Sequence, residues 1–304
     1  MGEWSIRLAT LAVVLVVLAL HEVGRWRLRR AVARWRPWCF RGGVAAVVVA
    51  LVSPLEHLAT VYLWARMAQD VTLVFVVPPL VLLGSPWLPW LAALPPAWRR
   101  RVLGGLYRSP SGVVLRSTGR WLLHPAVATA ALLVAVVGWY QQGAVGAQMG
   151  HPLVAVGEQL SLVVVGVWYW AQLVGSHPYR PRAAPLRRLW SVALLMVVDW
   201  CFVSALAFAS HPWFPRYASV AGHSLPLMTD QGLAAAFLWV VPMAALGGFA
   251  CWVGNCWLRD DADEDARLRR LLRSDWTPTG SGTGAPPGPR GLDPGSGDSR
   301  RGAA

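Results

Sequence analysis

Lysine is absent from this chain: all 28 basic residues are arginine, against 15 acidic ones. The absence marks a compositional bias in the coding sequence more than a set of chosen guanidinium sites. Charge of either sign is scarce, at 14% of residues, and 58–65 and 71–98 carry none. The formal net charge of +13 does not indicate nucleic acid, because the arginines lie beside apolar segments where anionic lipid headgroups are the nearest partner. Four cysteines form no C-x-x-C pair. Cys39, Cys201, Cys251 and Cys256 are expected as apolar helix filler, with no disulfide framework. No H-E-x-x-H, no H-x-x-x-H, no phosphate-binding glycine loop, no nucleophile set and no paired catalytic carboxylates occur, so an enzyme is not expected.

What is present is apolar length. Residues 4–23, 42–57, 60–84, 123–140, 153–174, 189–210 and 232–257 are each predominantly apolar. About 20 helical residues at 1.5 Å rise cross a hydrocarbon core, so the fold class expected is an all-α, polytopic bundle of seven transmembrane helices in a cell membrane. The second segment is cut short by Ser53-Pro54 and Glu56-His57 and extends back through Trp38-Cys39-Phe40 as an alternative. Glu3 spoils a basic leader region, so the first segment reads as a retained helix. The connections at 24–41, 85–120 and 175–188 hold seven, six and four arginines, whereas those at 58–59, 141–152 and 211–231 hold only Arg216. The positive-inside rule then puts the N-terminus outside and the C-terminus in the cytoplasm. Residues 1–258 form the membrane domain, 259–276 a charged helix candidate, and 277–304 a Pro/Gly-rich tail expected to be disordered.

Ions within such segments must be partnered. Arg66 and Asp70 share a helix face at i, i+4 and are expected to neutralise each other. Counting 1.5 Å per residue from the outer end of the third segment sets them roughly 9 and 15 Å deep. Glu158 and Gln159 fall level with Arg66, and Asp199 level with Asp70. With Gln69 these residues are expected to form one buried polar cluster. His57, His151, His211 and His223, with Met149 and Met228, fall on the outer side and are weak candidates for copper. Their scattered spacing favours ordinary loop histidines.

The run Ser53-Pro-Leu, then Arg66-Met67-Ala-Gln69-Asp70, then Pro78-Pro79-Leu-Val-Leu-Leu-Gly84-Ser-Pro86 resembles the CtaG family of cytochrome c oxidase assembly factors. Typical members read approximately H-M-x-Q-H followed by A-P-P-L-L-x-L-G-x-P. Further matches are His124-Pro125, Trp139, Glu158, Trp170, Asp230-Gln231 and Trp239, and the likeness covers roughly residues 40–257. The resemblance implies an accessory or assembly factor in a bacterial plasma membrane with an oxidase subunit as partner. It also implies copper or haem held by the histidines of typical members. Here those histidines are replaced by Arg66, Asp70, Tyr140 and Gln159, so no cofactor is expected. The competing expectation is a transporter or proton-conducting protein in which Arg66, Asp70, Glu158 and Asp199 line a polar path.

Overall fold

The computed structural model describes residues 3–28, 33–98, 124–174 and 184–275. Most arginines of the connections at 85–120 and 175–188, and the tail from 276, lie outside the described residues. Two units are distinguished, Met1–Cys256 and Trp257–Ala304. The second is helical through Asp275. Among the described residues the secondary structure is all helical.

In chain order the helices are α1 (Glu3–Leu28), α2 (Arg36–Leu51), α3 (Pro54–Val61), α4 (Leu63–Val71), a π turn (Thr72–Val76), α5 (Val77–Leu83), α6 (Trp87–Ala93), α7 (Pro125–Trp139), α8 (Gln142–Gly150), α9 (Pro152–Leu173), α10 (Pro185–Ala207) and α11 (Leu227–Asp275). A short 3-10 turn at Pro215–Ser219 precedes α11. Five helices are long and apolar enough to cross a membrane, or up to seven if each bent pair is one span. The bent pairs are α2 with α3, at 45°, and α7 with α8, at 68°.

Proline and extended residues set the breaks. Ser53 is extended and caps Leu55 N–H, and Pro54 opens α3, so the second span turns there and begins at Arg36. The stretch 141–152, expected as a loop, is mostly helix α8. His57 likewise sits in α3 rather than in a connection.

The span Leu63–Leu83 is the axis of the bundle. Of its apolar window 67% is buried, against 17% to 33% for the other four long helices. α2 packs along α5, and α9 packs along α5, the π turn and α7. Outward-facing Val134, Leu153, Leu160, Trp200 and Phe208 are the apolar surface that a bilayer would cover. One end gathers the connections expected outside: Arg7 pairs with Glu56 at 2.7 Å, the Tyr62 hydroxyl meets Ser224 Oγ at 2.9 Å, and Gln142 donates to the Trp213 carbonyl at 2.9 Å.

Candidate functional site

The site begins where α4 begins. Tyr62 is extended, so Leu63 opens a new helix whose N-terminus has no side-chain cap of its own. The cap comes from α11: Asp230 Oδ2 accepts Leu63 N–H and Oδ1 accepts Trp64 N–H, each at 2.9 Å. A carboxylate there satisfies two orphan donors and meets the positive end of the helix dipole. His223 Nε2 lies 3.1 Å from the same Oδ2. Next to Asp230, the Gln231 amide accepts Trp213 N–H and donates to the Leu206 carbonyl, both at 2.8 Å. The Asp230-Gln231 pair thus fastens α4, the end of α10 and the connection before α11.

One turn into α4 stands Arg66, 9% exposed. Its Nη2 forms an ion pair with Glu158 of α9 and donates to Gln148 Oε1 of α8 at 2.9 Å. Asp70 Oδ2 is farther off, 3.9 Å from Arg66 Nε. The expected i, i+4 pair of Arg66 with Asp70 is present, and Glu158 is a second and nearer carboxylate partner. The guanidinium reaches sideways to α9 as well as down its own helix. Asp70, 1% exposed, turns to a cavity of about 50 Å³ that it lines with Tyr140 and the half-buried Asp199. The other two residues expected in the cluster are elsewhere. Gln69 donates to the Ala50 carbonyl at 2.8 Å. That carbonyl would ordinarily receive the N–H of residue 54, which is proline and has none. Gln159 is half-buried and lies about 100° round α9 from Glu158.

The proline pair is accommodated in the same way. Pro78 cannot donate to the Val74 carbonyl, and the chain widens into the π turn, where Val77 N–H bonds the Thr72 carbonyl. Trp170 Nε1 donates to the freed Val74 carbonyl at 2.9 Å. Gly166 permits that approach, since a Cβ there would lie 3.1 Å from Pro78 Cγ and 3.3 Å from Val74 Cα. Gly84 seats the other end of α5, where a Cβ would come within 2.6 Å of Phe40 Cβ. Between Gly84 and the buried Pro86, Ser85 has φ 50° and accepts from Arg36 Nη1 at 2.7 Å. Met67 is buried, Pro79 is half-buried, Trp139 Nε1 donates to Ser161 Oγ at 2.8 Å, and Trp239 is 49% exposed on the outside of α11.

Residues 17–260 match the family model of the cytochrome c oxidase caa3 assembly factor (Caa3_CtaG). The chain belongs to this family. No curated protein and no solved structure matches it detectably.

In this member of the caa3 assembly factor family no histidine cluster forms among the described residues. His57, His151 and His211 are exposed on α3, before α9 and after α10, and His223 is held by Asp230. Met149 and Met228 are exposed. Among the described residues no three His, Cys, Asp or Glu side chains are placed to hold a metal ion. The groups around Arg66 are carboxyl, amide and phenol, whereas Cu(I) prefers sulfur and imidazole, and a central guanidinium repels any cation. These residues do not fit copper or haem iron. Sequence reasoning missed Gln148 because the glycines around it read as loop, and it missed Tyr217. That side chain is buried beside the cluster, and burial pushes its phenol up to about 12, with Arg66 pulling the other way.

Proposed function

We propose that this chain is a membrane-embedded assembly or accessory factor for cytochrome c oxidase that acts without copper or haem of its own. The family match over residues 17–260 carries the first part of this reading. Residue chemistry supports the second: Arg66, Asp70, Tyr140 and Gln159 stand where typical members, by resemblance, carry imidazoles. The Arg66–Glu158 ion pair then keeps the core of the bundle polar and internally partnered in place of a metal centre. The chain works by binding an oxidase subunit in or beside the bilayer, not by catalysis. Its arginine-rich connections favour seven spans in a bacterial plasma membrane with the N-terminus outside.

Deleting the gene tests this reading. Membranes of the deletion strain should lose assembled cytochrome c oxidase, read from its reduced-minus-oxidised haem spectrum and its activity, while succinate dehydrogenase is unchanged. Plasmid-borne wild type should restore it. A full complement of active oxidase in the deletion strain would overturn the reading.

A further inference from the structure

Between Leu18 and Val49 the sequence carries arginine at 25, 27, 29, 30, 34, 36 and 41, and a single acid, Glu22. Glu22 of α1 bridges two of these arginines. Its Oε1 accepts from Nε and Nη2 of Arg41 on α2, at 3.0 and 2.9 Å, and its Oε2 accepts from Arg25 Nε at 3.0 Å and lies 2.8 Å from Arg25 Nη2. Both carboxylate oxygens are thereby used. One carboxylate neutralises only one of two guanidiniums, so the triad keeps a net positive charge. Nη1 of each arginine has no partner among the described residues. Arg27 and Arg36, at the same end of the bundle, bond neutral oxygens: the Ala92 and Ala93 carbonyls and Ser85 Oγ.

This triad stands at the mouth of an open groove of about 640 Å³, whose apolar walls are Leu18 of α1 and Val44, Ala45, Val48 and Val49 of α2. From Arg41 to Val49 the helix rises about 12 Å, close to the ~15 Å hydrocarbon depth of one leaflet. Trp38 marks the charged end as the membrane interface. It is 70% exposed, and the Arg41 guanidinium lies over its ring, 5.1 Å from the centroid. A protein helix laid in the groove would have to bury the excess charge of the triad, which is costly without an acid to meet it. A molecule with an anionic head and an apolar tail complements both ends.

We propose that the α1–α2 groove is a binding site for one anionic phospholipid of the phosphatidylglycerol type, with its phosphate on Arg25 and Arg41 and one acyl chain along Leu18, Val44, Ala45 and Val48. Glu22 holds both guanidiniums at the mouth and sets the strength of the site, since it subtracts one charge from two. A net positive charge at such a contact is worth about fivefold in affinity for an anionic lipid. A zwitterionic lipid meets the same apolar wall without that gain. The bound lipid would join α1, whose apolar window is only 17% buried by protein, to α2. The proposal is independent of the oxidase reading.

Photolabelling tests it on the full chain in detergent micelles, using a phosphatidylglycerol with a diazirine midway along one acyl chain and mapping the adducts by mass spectrometry. In wild type, adducts are expected within residues 18–22 or 41–49. Unlabelled phosphatidylglycerol should displace them at about one-fifth of the mole fraction that phosphatidylcholine of the same chains requires. Glu22→Gln leaves both arginines unopposed and should widen that preference to about twenty-five-fold, whereas Arg41→Gln leaves no charge in excess and should bring it to parity. Equal displacement by the two lipids in wild type would overturn the proposal and show an ordinary lipid-facing surface, and that arm requires no variant. Absence of adducts from both segments would overturn it in favour of a protein helix or a second copy on the groove. A preference unchanged in either variant would place the phosphate away from the triad and overturn it as well.

Discussion

Replacing Arg66 with methionine removes the cation that pairs with Glu158 and Asp70. Glu158 loses its ion pair, and the Gln148 amide oxygen loses its donor at 2.9 Å. Stranding one partner of a buried pair costs about 3 to 5 kcal/mol, and Arg66→Met should fall in the upper half of that range because a hydrogen bond is lost as well. Glu158→Leu should fall in the lower half, since the guanidinium keeps Gln148 and has Asp70 at 3.9 Å. The double variant Arg66→Met/Glu158→Leu should lie within about 2 kcal/mol of wild type, because replacing a whole buried pair by apolar side chains is often neutral or better. Asp70→Asn should cost less than about 1 kcal/mol, because the carboxylate stands 3.9 Å from Arg66 and the amide oxygen that replaces it still accepts from the Tyr140 hydroxyl. Reversible unfolding in mixed micelles provides the assay, with fluorescence from the 19 tryptophans as signal. If the Arg66 and Glu158 effects simply add, or if Arg66 couples more strongly to Asp70 than to Glu158, the assignment of Glu158 as mate fails.

Asp230→Ala should destabilise the protein by about 1 to 3 kcal/mol, since two N–H groups at the start of α4 lose their acceptor; an unchanged unfolding midpoint would remove the cross-helix cap. Gln69→Leu should cost a similar amount, about 1 to 3 kcal/mol, by orphaning the Ala50 carbonyl, and the loss should vanish in a Pro54→Ala background where residue 54 regains an N–H. Reporter fusions after residues 41, 120 and 188 should report cytoplasm and fusions near 146 and 220 the opposite side. A cytoplasmic 146 contradicts the orientation.

Helix positions were legible where apolar runs are long, as in 60–84 against the observed span Leu63–Leu83. α8 was not, because Gly143, Gly146 and Gly150 with two glutamines read as loop; Gly146 instead lets the Arg216 guanidinium lie against the helix. Counting residues gives depth but not the rotation of one helix against another. Glu158 and Gln159 were therefore equally placed to meet Arg66, although only Glu158 does. Gln69 and Trp170 were decipherable in principle. Proline at 54 and at 78 leaves the carbonyls four residues earlier without donors, and an amide and an indole are the groups that supply them. The role of Asp230 required the fold, since nothing local links residue 230 to the start of a helix at residue 63.

The central claim is that a charged, metal-free core serves in a family of oxidase assembly factors. Copper, iron and haem content of the full chain, purified from membranes of copper-replete, haem-replete cells, tests it most directly. All three should be far below one per chain, both in wild type and after Asp70→Ala. One copper or one haem per chain, lost on substituting Asp70 or any of His57, His151, His211 and His223, would contradict the claim and show that the ligands have moved within the bundle or to its outer face.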